Sequence, residues 1–162
     1  MAMSSEEYTG ISLFVGSQEI GVLIKDIKEI LEPVPILPVP VTHPLFAGLI
    51  SVRGSIIPVL LLNLVFHASE NPFSNKDKKY VVCVAGSETA ALDIDAVGDT
   101  FSFGPGQLTD AKEDATNPDG LITKTVAFQD KEIPLLSIEK LIQFTTVLNA
   151  KEREAVGYSA IN

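Results

Sequence analysis

The sequence predicts a mainly β fold: two small barrels of about five strands each, side by side about a pseudo-twofold, with short helices. Three observations predict it. Apolar residues recur at strand spacing through most of the chain. Clusters of Gly, Pro, Asn and Asp punctuate those runs. The second half also repeats landmarks of the first in the same order.

The elements follow in chain order. Ile11, Leu13 and Val15 alternate with Ser12, Phe14 and Gly16, and "QEIGVLI" follows a Gly16-Ser17 turn, which reads as a hairpin. In "IKDIKEIL", Ile24, Ile27, Ile30 and Leu31 fall on one helical face, so a short helix is expected there, stopped by Pro33 and Pro35. The prolines of "PVPILPVPVTHP" make a stiff, extended connector. Two apolar strands, "LFAGLISV" and "SIIPVLLL", meet at Arg53-Gly54, where Gly54 supplies the positive φ of a tight turn. Pro58 marks the second of them as an edge strand or a bulged one.

The polar run 67–79, "HASENPFSNKDKK", reads as a surface linker between halves 8–66 and 80–148 of one domain spanning 8–148. Beyond it come the strands "YVVCVAG", "TAALDI" and "DTFSF", then a long loop through "GPGQLTDAKEDATNPDG". A hairpin of "ITKTVAF" and "EIPLL" turns at Gln129-Asp130-Lys131. "SIEKLIQF" is a short helix with Ser137 as N-cap, and the tail 149–162 contains a helix-forming "AKEREAV".

The repeat is visible in two places. "VGSQEIGVLIKDI" (Val15 to Ile27) aligns without gaps on "AGSETAALDIDAV" (Ala85 to Val97), an offset of 70 residues. "IIPVLLL" (Ile56 to Leu62) matches "EIPLLSI" (Glu132 to Ile138) at an offset of 76. Under the second offset Arg53 and Gly54 correspond to Gln129 and Asp130, so the cation appears at only one of two equivalent turns. A residue needed by the hairpin itself should appear twice. Arg53 is therefore expected to serve something outside its own turn.

Composition narrows the function. The chain has 162 residues, 46% of them hydrophobic, enough for a sizeable core. Its net charge of −9 and a densest basic run of only Lys76, Lys78 and Lys79 argue against nucleic acid and against an acidic membrane surface. The single cysteine, Cys83, sits in a strand-like run and reads as a small buried apolar residue. The start "MAMSSEEYTG" is no secretory signal, and the run Ile56 to Phe66 contains Pro58 and Asn63 and is too short to span a bilayer. A cytoplasmic protein without membrane insertion is the expectation.

Catalytic constellations are thin. His43 and His67 are the only histidines, both beside connectors, and no GxSxG, HExxH, CxxC or P-loop occurs. "GPGQ" lacks the strand-turn-helix context of a phosphate site. Asp93, Asp95 and Asp99 read as a solvated strand face rather than a metal cluster. No catalytic residue, metal or cofactor is assigned.

Three motifs organise what remains. "FVGSQEIGVLIKDIKEIL", "AGLISVRGSIIPVLLLNL" and "IPLLSIEKLI" follow one another between Ile11 and Phe144. In order and spacing they resemble the opening, the "NLRG" turn with its Pro-containing strand, and the closing segment of the CheW-like adaptor domain of bacterial chemotaxis. The resemblance implies a fold of paired SH3-like five-stranded barrels and a non-enzymatic scaffold. It implies two partners: the regulatory domain of a CheA-type histidine kinase and the cytoplasmic tip of methyl-accepting chemoreceptors. Carried across, it places Ser51, Val52, Arg53 and Gly54 at the partner contact, with Arg53 meeting a carboxylate or helix carbonyls.

The chain departs from the pattern at Ser51 for Asn, Val52 for Leu, Leu61 for Asp and Asn63 for Arg. Those changes are compatible with an adaptor of another motility or signalling array. Two other classes stay open on the residues alone: a small-molecule or peptide sensor using the groove between barrels, and an enzyme using His43 or His67.

Overall fold

The computed structural model describes residues 6–38, 44–66, 70–112 and 119–155, with 147–155 described for backbone only. His43, His67 and the connector residues between Pro38 and Pro44 lie outside the described residues. The strands are β1 (Tyr8–Val15), β2 (Gln18–Leu23), β3 (Ile27–Leu31), β4 (Phe46–Val52), β5 (Ser55–Leu61), β6 (Lys79–Ala85), β7 (Glu88–Ile94), β8 (Ala96–Phe103), β9 (Leu108–Asp110), β10 (Ile122–Phe128) and β11 (Lys131–Leu136). The helices are α1 (Leu62–Val65) and α2 (Ile138–Ala155), with 3-10 turns at Ile24–Asp26 and Pro105–Gln107.

The protein is mainly β, in two mixed sheets. One has six strands in the order β8-β1-β2-β11-β10-β9, the other five in the order β3-β6-β7-β5-β4. Neither ladder closes into a barrel among the described residues. The repeat is built into these orders: under the offsets of 70 and 76, β8-β1-β2-β11-β10 maps strand for strand onto β3-β6-β7-β5-β4. Each sheet therefore takes a hairpin from one sequence half and its other strands from the other half. The sequence had suggested a barrel within each half; the strands are instead exchanged.

Local agreement with the repeat is close. Gly16 and Gly86, at the equivalent turns after β1 and β6, both have φ +61°. Arg53 and Gln129, at the turns after β4 and β10, have φ +50° and +55°. Parallel contacts join the exchanged strands at equivalent points, Leu135 to Gly21 in one sheet and Val59 to Ala91 in the other. Both start one residue after a proline, Pro134 or Pro58. That explains how Pro58 sits in β5, which is an inner strand and not the edge that the proline suggested. β7 pairs with β5 only from Val59 onward, so the missing N–H falls before that ladder begins.

Both faces of the central strands are buried. On β6, Val81 and Cys83 join a cluster with Leu13, Val22, Leu60, Leu92, Ile138 and Leu141, which ties the two sheets and both helices together. Tyr80 and Val82, on the opposite face, pack with Ile50, Ile57 and Val59 inside the five-stranded sheet. The six-stranded sheet has its own cluster of Phe101, Phe103, Val126, Ile133 and Leu135. Each fully buried Leu or Ile contributes about 1.5–3 kcal/mol relative to exposure. Cys83 is fully buried in the first of these clusters, and burial pushes its thiol up to about 12, so it is an inert packing residue.

Several local expectations need correction. "IKDIKEIL" is a 3-10 turn followed by the edge strand β3, not a helix. The strand turns Ile30 and Leu31 to opposite faces and leaves Ile30 40% exposed, yet pairing with β6 from Ile27↔Cys83 to Leu31↔Tyr80 wins over the helical stripe. The loop after "DTFSF" holds a 3-10 turn and β9. Gln107 anchors it, accepting from the Gly104 N–H at 2.9 Å and donating to the Ala127 carbonyl at 2.9 Å. The final helix is one element from Ile138 to Ala155, longer than the short one expected, and the Ser137 hydroxyl caps it by accepting the Lys140 N–H at 3.2 Å.

The described part of the linker lies on the surface, with most of its residues exposed, but it is tied down. Phe73 packs on Phe14 with ring centroids 5.2 Å apart, and the Asn71 side-chain amide donates to Asp95 at 3.1 Å. Lys78 forms an ion pair with Asp93, whose side chain is 12% exposed, so Asp93 does not belong to a solvated face. Burial raises the Asp93 carboxyl, with Lys78 opposing.

Candidate functional site

The candidate contact is the turn between β4 and β5. Ser51, Arg53 and Gly54 are exposed and Val52 is half-buried. Arg53 at φ +50° and Gly54 at +84° give the two consecutive positive-φ residues of a type I′ hairpin. Gly54 adopts this freely, whereas the left-handed region costs a side-chain-bearing residue about 1–2 kcal/mol. An arginine at that position is not there for the sake of the turn.

The guanidinium has an intramolecular acid. Arg53 Nη1 donates to both carboxylate oxygens of Glu29, on β3. Sequence reasoning aimed Arg53 outward without such a partner. It missed Glu29 because a helical "IKDIKEIL" turned that residue away from the turn. The signal was weak, since Glu29 is one of three acids in the opening motif, with Glu19 and Asp26. The pair spans the sheet's opening, from edge strand β3 to the turn at the end of edge strand β4.

The pair does not withdraw Arg53 from solvent. Its side chain is 76% exposed and that of Glu29 18%. A guanidinium carries five N–H donors. Glu29 engages one nitrogen and fixes the direction of a long side chain. Ile56 on the same hairpin is 58% exposed. Leu61, where the motif has Asp, plays no electrostatic part; its N–H bonds the Leu45 carbonyl at 2.8 Å.

The four residues thus stay together on one exposed turn, held from below by an acid from another strand. A fixed, exposed cation on a hairpin that also exposes Ile56 suits a protein surface. Among the described residues no group of three His, Cys, Asp or Glu side chains could hold a metal ion, and no helix is long and apolar enough to cross a membrane.

Comparison with known families gives a match to the CheW-like domain over residues 9–145. The chain belongs to the CheW-like domain family. Two curated relatives are the chemotaxis protein CheW of Helicobacter pylori and that of Treponema pallidum. The first is 23% identical over 133 residues, covering 82% of this chain and 80% of the relative. The second is 23% identical over 126 residues, covering 76% and 70%. Among solved structures, the scaffolding protein TtCheW from Thermoanaerobacter tengcongensis superposes with a TM-score of 0.75 at 22% identity, over 82% of this chain and 90% of that one. The CheW-like fold, with its exchanged hairpins, is thus shared at low identity.

Proposed function

We propose that this CheW-like domain is a non-catalytic cytoplasmic adaptor. It couples the cytoplasmic tips of methyl-accepting chemoreceptors to the regulatory domain of a CheA-type histidine kinase. The observation that carries the reading is Arg53, directed by Glu29 on a turn that strains it and standing in the family's motif. Ser51, Val52, Arg53 and Gly54 form the partner contact. A partner carboxylate or helix C-terminus takes the donors that Glu29 leaves, and Ile56 and Val52 supply apolar area. The two open sheets are read as the paired SH3-like barrels of the family, within one domain from 8 to 148.

The test is incorporation into receptor-kinase arrays. Arg53→Glu is expected to abolish co-sedimentation with receptor and kinase while the thermal melt stays within a few degrees, since an exposed ion pair is worth about 0–1 kcal/mol. Glu29→Gln keeps the cation and is expected to weaken incorporation only partly. Undiminished incorporation of Arg53→Glu, or a collapsed melt, sinks the reading.

A further inference from the structure

The repeat creates two equivalent seams, and the described chain covers only one. After α1 the chain must return to begin β6, and it does so across the end of β1. There Phe73 rests on Phe14, Asn71 donates to Asp95, and Asp95 also accepts the Gly16 N–H at 2.6 Å. At the offset of 70 residues the counterparts of Phe14, Gly16 and Asp95 are Val84, Gly86 and Lys25. The backbone supports this equivalence, because Leu13↔Val97 and Cys83↔Ile27 are corresponding pairs in the two sheets. Among the described residues no such return follows β11. α2 runs on to Ala155, and Val84, Gly86 and Lys25 line an open groove of about 1160 Å³ with Leu23, Phe103 and Ile142.

The groove is apolar in its walls and acidic in its charges. Lys25 and Lys124 line it together with Asp26, Glu88 and Glu139, and Lys124 is already ion-paired with Asp110. Asp26 is half-buried; burial raises its carboxyl, with Lys25 opposing and Glu139 adding to the rise. A basic ligand group relieves that excess. We propose that this groove docks an extended basic segment of a protein partner. A large apolar side chain packs on Val84 as Phe73 packs on Phe14, and a lysine or arginine meets Asp26 and Glu139.

The chain's own linker provides the probe, because it carries Phe73 together with an excess of lysine over acid. A fluorescent peptide of the sequence NPFSNKDKK, that of residues 71–79, is titrated into the intact protein by anisotropy and mapped by amide chemical shifts. Saturable binding is expected below about 1 mM, with shifts at Val84, Gly86 and Ile142. Glu139→Lys is expected to weaken it about two- to fivefold and Lys25→Glu to tighten it by a similar factor, both on exposed positions. A peptide with Ala for Phe is expected not to bind. Arg53→Glu leaves peptide binding unchanged, so the result is independent of the array experiment. No saturation, binding that survives the Phe change, or shifts at Phe14 and Gly16 instead overturns the proposal. So does the same shift pattern produced by raising the protein's own concentration, which assigns the groove to a second copy.

Discussion

In the six-stranded sheet the Phe101 ring lies over Gly10 and Gly21, where an added Cβ would come within 2.6 and 2.9 Å of its Cζ. It stacks near Phe103 and Phe128, with centroids 5.8 and 5.7 Å away, so rings from β8 and β10 close over that sheet's opening. At the equivalent positions of the five-stranded sheet stand Leu31, Tyr80 and Ala91. There the buried ring comes from β6, as Tyr80, and the opening is bridged by the exposed Arg53–Glu29 pair. One scaffold thus supports two packings. Interior volume can be supplied from different strands if a partner shrinks to match. The sheet that fills its opening with aromatics has Gln129 at its left-handed turn position, whereas the one that bridges it with an ion pair presents a cation there.

The largest effect should separate the two interiors. Phe101→Ala is expected to cost about 3–5 kcal/mol in urea unfolding, and Leu31→Ala, only half-buried, about 1–2 kcal/mol. Equal costs would mean that the two interiors do not differ as described. Next comes Gly21→Ala. The new methyl would meet Leu135 and Phe101 at 2.9 Å and should cost about 1–3 kcal/mol, although the counterpart Ala91 is natural at its site. A neutral outcome would show that Phe101 can move aside.

The covered seam predicts a pH dependence. Burial alone would lower the Lys78 ammonium, but its hydrogen bond to Asp93 and the charges of Asp93, Asp95 and Tyr80 outweigh that and raise it above 10.5. The stability it contributes is fully present below 10.5 and is lost as pH rises through the raised value. Lys78→Met should therefore flatten the alkaline fall of the melting temperature; an unchanged slope contradicts the docking of the linker. The smallest effect belongs to the turns. Gln129→Gly is expected to raise stability by about 0.5–1 kcal/mol by removing a side chain from the left-handed region. Arg53→Gly should do the same for the melt while abolishing array incorporation.

What could be read beforehand followed locality. Gly16, Gly86 and the Arg53–Gly54 turn were legible because hairpin chemistry is confined to a few residues, and the repeat was legible because those turns recur. β3 was not, since "IKDIKEIL" carries a helical stripe and only pairing with β6 decides against it. The exchange of strands could not be read either, because the choice of β11 as neighbour to β2 rests on contacts more than a hundred residues apart. At the candidate site Arg53 stood out by its absence from the second copy. Glu29 did not, because its role depends on β3 being a strand, and Asp93 was misread because alternation along β7 gave no sign of its ion pair with Lys78.

The parallel contact between Gly21 and Leu135 bears on how the protein is made. During synthesis the β1-β2 hairpin emerges well before β8 and β11, which flank it and belong to the second half of the chain. The nascent chain must carry Ile11, Leu13, Val15 and Val22 uncovered until nearly the whole domain has left the ribosome. Half of such a chain has no sheet to complete, so truncated products are candidates for chaperones and proteases rather than for folding.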